Sequence, residues 1–305
     1  MPLNSHSALL SRNYRLYLLG SIFSVIGVWV QRLALGWHAW EITNSTFFVG
    51  MIAAAQFLPL ALLTPFFGVI ADRISVRRAA VIMQIILTLT AAALGFLTIF
   101  NYVSPNWLFL FALAHGIANS AYSPLRLSLI SQLVSKNRFP SAVAINSISF
   151  NLASLIGPGL AGWIVAWYGL GAAYFINALT YFPAILLLST LSLNLPVMSR
   201  TIKKHYYIEL LEGIAYVIKN NNIFYILLIA GIGNFFGRGL LELMPVFAAL
   251  VYDGGTNTLA SLMVATGVGA LISSIMFASG LLGRKLFTTV IIGALGSALG
   301  MFLFS

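Results

Sequence analysis

The sequence predicts an all-α polytopic membrane protein, and three observations predict it. Of the 305 residues, 60% are hydrophobic and only 7% charged, with a mean hydropathy of +0.97. Soluble domains carry about 25% charged residues, so a chain this apolar exposes surface that only lipid can cover. Nine apolar stretches are long enough to cross a bilayer, which takes about 20 residues each. The basic residues, finally, are confined to alternate connectors between those stretches.

The expected spans are 16–40, 47–71, 79–100, 106–132, 141–168, 170–193, 223–250, 258–282 and 286–304. No short apolar stretch with a small-residue cleavage site precedes them, so the first span is expected to be its own insertion signal. One set of connectors holds Arg12 and Arg15, then Arg73, Arg77 and Arg78, then Lys136 and Arg138. Arg200, Lys203, Lys204, Lys219, Arg284 and Lys285 continue it. The other set (41–46, 101–105, 169, 251–257 and the C-terminus) has no Lys or Arg and holds Glu41 and Asp253. The positive-inside rule therefore predicts a cytoplasmic N-terminus. It also makes the net charge of +10 an orientation signal, with no nucleic-acid partner expected.

Three regions follow. A six-helix bundle is expected over 1–193, a cytoplasmic loop over 194–222, and a partial second bundle over 223–305. Within the loop, apolar residues at 208, 210, 211, 214, 215 and 218 have helical spacing, so an amphipathic helix is expected over 206–220.

Several chemistries are excluded. There is no cysteine, hence no disulfide or thiolate site, and the four histidines are too scattered for a metal site. No cofactor is expected. The chain lacks a G-x-x-x-x-G-K-[ST] phosphate loop, so no ATP is expected, and it lacks a nucleophile elbow and an H-E-x-x-H pair. Five of the six acids lie in or beside connectors and only Glu242 lies within a span, which argues against a paired-carboxylate enzyme.

Two motifs carry a resemblance. Between spans two and three the chain reads Gly68-Val-Ile-Ala-Asp72-Arg73-Ile-Ser-Val-Arg77-Arg78. This resembles the G-x-x-x-D-R-x-x-R-R signature of the major facilitator superfamily, with one extra residue before the final basic pair. Span five reads Ala153-Ser-Leu-Ile-Gly157-Pro158-Gly159-Leu-Ala161-Gly162, similar to that superfamily's antiporter motif G-x-x-x-G-P-x-x-G-G. Gly36-Trp37, Ser123-Pro124-Leu125-Arg126 and the stretch from Gly237 to Pro245 resemble the exporter branch related to the enterobactin exporter and drug-efflux-like permeases.

The resemblance implies the major facilitator fold, a bacterial inner-membrane location, and proton-coupled export of a small amphiphilic molecule by alternating access. The exported molecule would be drug-like or a siderophore. It also implies that Asp72 acts as a latch between the two halves. One departure stands out: Ala112 and His115-Gly116 occupy positions where drug antiporters carry an Arg and a Gln-Gly pair. The family has twelve spans and nine are expected here. A truncated member acting only as an assembly partner is the alternative reading, and a non-transporting membrane enzyme or receptor is a third.

Ionisable groups within spans mark functional sites by default, because each costs at least about 2.5 kcal/mol at the bilayer centre. Arg32 sits beside Gln31 in span one, and Arg238 and Glu242 lie four apart in span seven. These residues, with Asn234, are expected to line a central cavity, and Glu242 is the foremost proton-coupling candidate. An internal Arg238–Glu242 pair that only fixes packing is the competing reading. His115 in span four is a further titratable candidate. His38, between Trp37 and Trp40, is expected in an interfacial aromatic belt, and Arg126 is expected to snorkel to the cytoplasmic surface.

Overall fold

A computed structural model describes residues 7–71, 73–191 and 215–278 and the helical positions 292–293, 295–296 and 299–300; side chains are described there except at 222, 230, 234–236, 238 and 273–278. The described chain is built of α-helices, as composition and span lengths predict.

Helix α1 covers Arg12–Thr43. Ser11 caps it by accepting a hydrogen bond from the Tyr14 amide, and Asn44 ends it in the left-handed conformation (φ 45°). Helices α2 (Thr46–Ala71) and α3 (Val76–Ile99) follow. Helix α4 (Pro105–Leu133) opens with Ser104 as cap and Pro105 in its first turn, where a missing amide costs nothing. A continuous helical stretch, Phe139–Thr190, is broken only at Gly169, where φ is 78° and ψ 173°. Glycine adopts that conformation without steric cost, and it divides the stretch into α5 (139–168) and α6 (170–190), where the sequence separates spans five and six.

Span seven departs from expectation. The sequence predicts one helix over 223–250. Helix α7 instead ends at Glu242, a short helical turn follows at Met244–Val246, and Phe247–Val251 is π-helical. Pro245 explains the interruption, since it donates no amide hydrogen bond and its ring collides with the carbonyl four residues earlier. Helix α8 covers Thr256–Ala278. In the expected amphipathic segment, 215–219 are helical and the rest lies outside the described residues, as does most of the expected ninth span.

By length and composition, α1, α2, α3 and the stretch through α5 and α6 are apolar enough to cross a membrane. Helix α4 is long enough but more polar, because it carries His115, Asn119, Ser120 and Arg126. The bundle is inverted relative to a soluble protein. Leu58, Leu62 and Phe66 form an exposed stripe at every fourth residue of α2, and Leu179, Phe182 and Leu186 form one at intervals of three and four on α6. Gln31, Gln84, His115, Ser120 and Asn177 are buried.

Contacts group the chain into two units: 1–198 with 243–271, and 199–242 with 272–305. Within the first unit, hydrogen bonds gather the basic connectors at one end. Ser11 Oγ donates to the Leu133 carbonyl (2.8 Å), and the Ala8 amide donates to Ser141 Oγ (3.2 Å). Tyr14 Oη donates to the Ala142 carbonyl (2.9 Å), and Arg77 donates to the Leu191 carbonyl. The N-terminal segment, the α2–α3 turn, the α4–α5 turn and the end of α6 therefore lie together, as the alternation of charge predicts.

Candidate functional site

Two sets of contacts in the first unit involve the predicted site residues: a polar interior around α1, and a seam of small residues along α5.

Gln31 and Arg32 are successive residues and so point about 100° apart on α1. Gln31 is buried, and its side-chain oxygen accepts a hydrogen bond from the Asn177 amide of α6. Gly27, one turn earlier, lies where a Cβ would run into Thr180 and Asn177, so α1 and α6 approach closely here. Arg32 is 8% exposed, and its guanidinium carbon lies 4.8 Å from the centre of the Trp29 ring and 5.1 Å from that of Phe57. Aromatic faces thus hold part of its charge. A Cβ at Gly116 of α4 would lie 2.5 Å from the Ala55 carbonyl oxygen. Helices α1, α2 and α4 therefore converge around residues 55–57.

His115 is buried on α4. The Asn119 side-chain nitrogen, one turn on, lies 3.0 Å from its Nδ1, 3.3 Å from its Nε2 and 3.1 Å from its carbonyl oxygen.

The antiporter-like motif has two neighbours. A Cβ at Gly157 would lie 2.5 Å from Trp29 Cβ on α1. On the other side a Cβ at Gly162 would collide with Ala260 of α8, one at Gly159 would lie 3.5 Å from Val264 Cγ2, and one at Gly267 would lie 2.7 Å from Leu155 Cα. The Gly162–Ala260 and Leu155–Gly267 contacts are seven residues apart on both helices, counted in opposite directions. That is two turns of an antiparallel pair in constant register. Pro158 is buried within the helix. Nearby, Gly36 of α1 receives Pro245, whose Cγ would be 3.0 Å from a Cβ there.

The signature turn is partly described. Gly68 faces Pro124 of α4, with 4.0 Å from its would-be Cβ to the proline Cβ. Arg73 and Arg78 are exposed and Arg77 holds the end of α6, while Asp72 lies outside the described residues. In the second unit, Asn234, Arg238 and Glu242 lie on α7. The side chains of Asn234 and Arg238 lie outside the described residues, and Glu242 is half-buried at the helix end.

One expectation is corrected. His38 is 5% exposed and its Nδ1 lies 3.1 Å from the Tyr174 hydroxyl, so it is a packed interior residue rather than part of an interfacial belt. Arg126 is half-buried, within electrostatic reach of Tyr17 and Tyr122. The sequence reading missed Asn177, Trp29 and Phe57. An amide in the middle of span six was a visible signal for Asn177, but aromatic residues are too common in spans to single out the two rings.

This inverted helical bundle, with a close-packed glycine seam and a polar interior, is that of an integral membrane protein with the major facilitator fold. It resembles a crystal structure of a bacterial homologue of the human lysosomal transporter Spinster, in an inward-facing and unoccupied conformation. That match has a TM-score of 0.66 at 15% identity and covers 94% of this chain and 72% of the other. The family model described as transmembrane secretion effector matches residues 4–301, and the chain belongs to that family within the major facilitator superfamily. The staphyloferrin A transporter of Staphylococcus aureus is 23% identical over 258 residues, 84% of this chain and 64% of that protein. Macrolide efflux protein A of Streptococcus pyogenes is 23% identical over 269 residues, 86% of this chain and 62% of that protein. The multi-drug resistance efflux pump PmrA of Streptococcus pneumoniae is 24% identical over 162 residues, 52% and 37% of the two chains. The chain thus spans less than two thirds of the length of these relatives.

Proposed function

We propose that this chain works in a secondary transporter that exports a small amphiphilic molecule from the cytoplasm by alternating access, driven by protons. Family membership over residues 4–301 carries the reading. Relatives named for a siderophore, for macrolides and for multiple drugs support export of an amphiphilic substrate. The α5–α8 seam supports alternating access, since contacts between small residues seal a path and separate without leaving an orphaned polar group.

In this reading the basic end faces the cytoplasm, the protein sits in the plasma membrane, and neither ATP nor nucleic acid takes part. The six-helix bundle over 1–193 and the second bundle beginning at 223, joined by the connector over 194–222, are the halves that move. Gln31, Arg32 and His115 line the substrate and proton path from one half, and Asn234, Arg238 and Glu242 from the other. Asp72 with Arg73, Arg77 and Arg78 acts as the conformational switch. Glu242, the only acid within an expected span, carries the proton.

The test is transport in proteoliposomes under an imposed pH gradient, using a labelled macrolide or siderophore. Glu242→Gln is expected to fold as the parent does and to lose at least about a hundredfold of the gradient-driven rate, the low end of what a positioned acid–base group contributes to chemistry. Unchanged gradient-driven transport would remove Glu242 from the mechanism. No transport by the parent would remove the export reading for this chain.

A further inference from the structure

At the end of the first unit opposite the arginines there is a cavity of about 530 Å³, the size of a small-molecule site. Trp37, Trp40 and Glu41 of α1 and its cap Asn44 line it, with Gly169 and Thr256 across from them. Trp40 and Glu41 fall three and four residues after Trp37, which places the three on one helical face. We propose that this vestibule binds an organic cation: a protonated amine, a quaternary ammonium or a comparably charged lipophilic head.

The chemistry of the lining carries the assignment. Two indoles flank one carboxylate, and aromatic faces with a carboxylate attract a weakly hydrated cation through both ring quadrupole and charge. Trp40 is only 9% exposed and is held by packing, while half-buried Trp37 presents the larger ring surface to the cavity. Glu41 is exposed and makes no hydrogen bond or ion pair with any described residue, while interacting electrostatically with the Tyr174 hydroxyl that His38 contacts. Helix dipoles do not oppose it. The C-terminal ends of α1 and α5 and the N-terminal ends of α6 and α8 meet here and offset one another in pairs, so the Glu41 charge sets the sign. The connectors at this end hold Glu41 and Asp253 and no Lys or Arg, so the surrounding field also draws cations.

Both a soluble cation and the ammonium of a phosphatidylethanolamine headgroup have this chemistry. Binding needs no transport, so the inference stands or falls apart from the export reading. The experiment is equilibrium binding of labelled tetraphenylphosphonium to the full chain in detergent, with tetraphenylborate as an anion of the same shape. Saturable phosphonium binding is expected, weakened at least tenfold by Glu41→Gln and also by Trp37→Ala, with no saturable borate binding. Glu41 is exposed, so Glu41→Gln is expected to keep the parent unfolding temperature. Equal binding of the two ions, or phosphonium binding untouched by both substitutions, would overturn the proposal. Repeating the titration in nanodiscs separates the sources. Competition by phosphatidylethanolamine but not by phosphatidylglycerol assigns the site to a lipid headgroup, and competition by neither assigns it to a free cation.

Discussion

The two ends of the first unit are held together by different physics. At the arginine end, directional hydrogen bonds join the N-terminal segment to the ends of α4 and α5, and Arg77 joins the α2–α3 turn to the end of α6. Two of them use a carbonyl, at Leu133 and at Leu191, that the C-terminal end of a helix leaves without a partner. Towards the other end, α5 meets α8 and α1 meets Pro245 through glycines that let backbones touch. Breaking the first kind of contact strands a polar group in a poorly solvated place and costs about 1–3 kcal/mol. Breaking the second exchanges protein packing for lipid packing, which costs little per contact. The comparison teaches where separation costs less: per contact, the α5–α8 seam is cheaper to part than the arginine end.

The largest expected effect comes from wedging that seam. Because the chain has no cysteine, Gly159→Cys with Val264→Cys gives a clean cross-linking reporter at a 3.5 Å contact. Adding Gly162→Leu forces a side chain into Ala260, and overpacking of this kind costs about 1–3 kcal/mol. Cross-link yield under mild oxidation is expected to fall about tenfold. An unchanged yield would mean that α5 and α8 do not meet in this register.

The next effect is interior. Asn177→Ala leaves the buried Gln31 side chain without its amide partner, at about 1–3 kcal/mol. Replacing both by leucine removes the orphan and is expected to recover most of the loss. Thermal unfolding of the single and double variants in detergent reads the difference, and a double variant weaker than Asn177→Ala would show that the amide pair is not what matters between α1 and α6.

The smallest effect tests the arginine end. Tyr14→Phe removes one hydrogen bond to the Ala142 carbonyl, and such bonds average about 0.6 kcal/mol in membrane bundles. A small drop in unfolding temperature with no change in seam cross-linking is expected. A change in the seam would mean that the two ends are mechanically coupled.

Much of the fold was legible because membrane spans follow one-dimensional rules. Span ends near Gly169 and Pro105 fell where turn chemistry puts them, and the basic connectors gathered at one end as charge alternation requires. The break after Glu242 was less legible, although Pro245 was in plain view, because hydropathy over 223–250 is continuous and carries no information about hydrogen-bond geometry. At the site, Gln31 and Arg32 stood out as polar residues in an apolar run, and the glycines of span five stood out by motif. Their partners did not. Asn177 lies 146 residues from Gln31, and nothing in either segment names the other.

By itself, the sequence determined that this is an all-α membrane protein, how its first six spans divide, that the basic connectors among them share a side, and which superfamily motifs it carries. These follow from composition and local spacing, since the bilayer imposes the same length and polarity on every span. Only the tertiary structure decided which helices touch and what each polar side chain meets. It turned Arg32 towards Trp29 and Phe57, buried His38 against Tyr174, set Gly162 on Ala260, and brought Trp37, Trp40 and Glu41 to the wall of one open pocket. The physical reason is that helix pairing in lipid is chosen by shape, through which small residues let which backbones approach. Complementary shape is a property of two surfaces brought together, and a single strand of sequence records each surface without its mate.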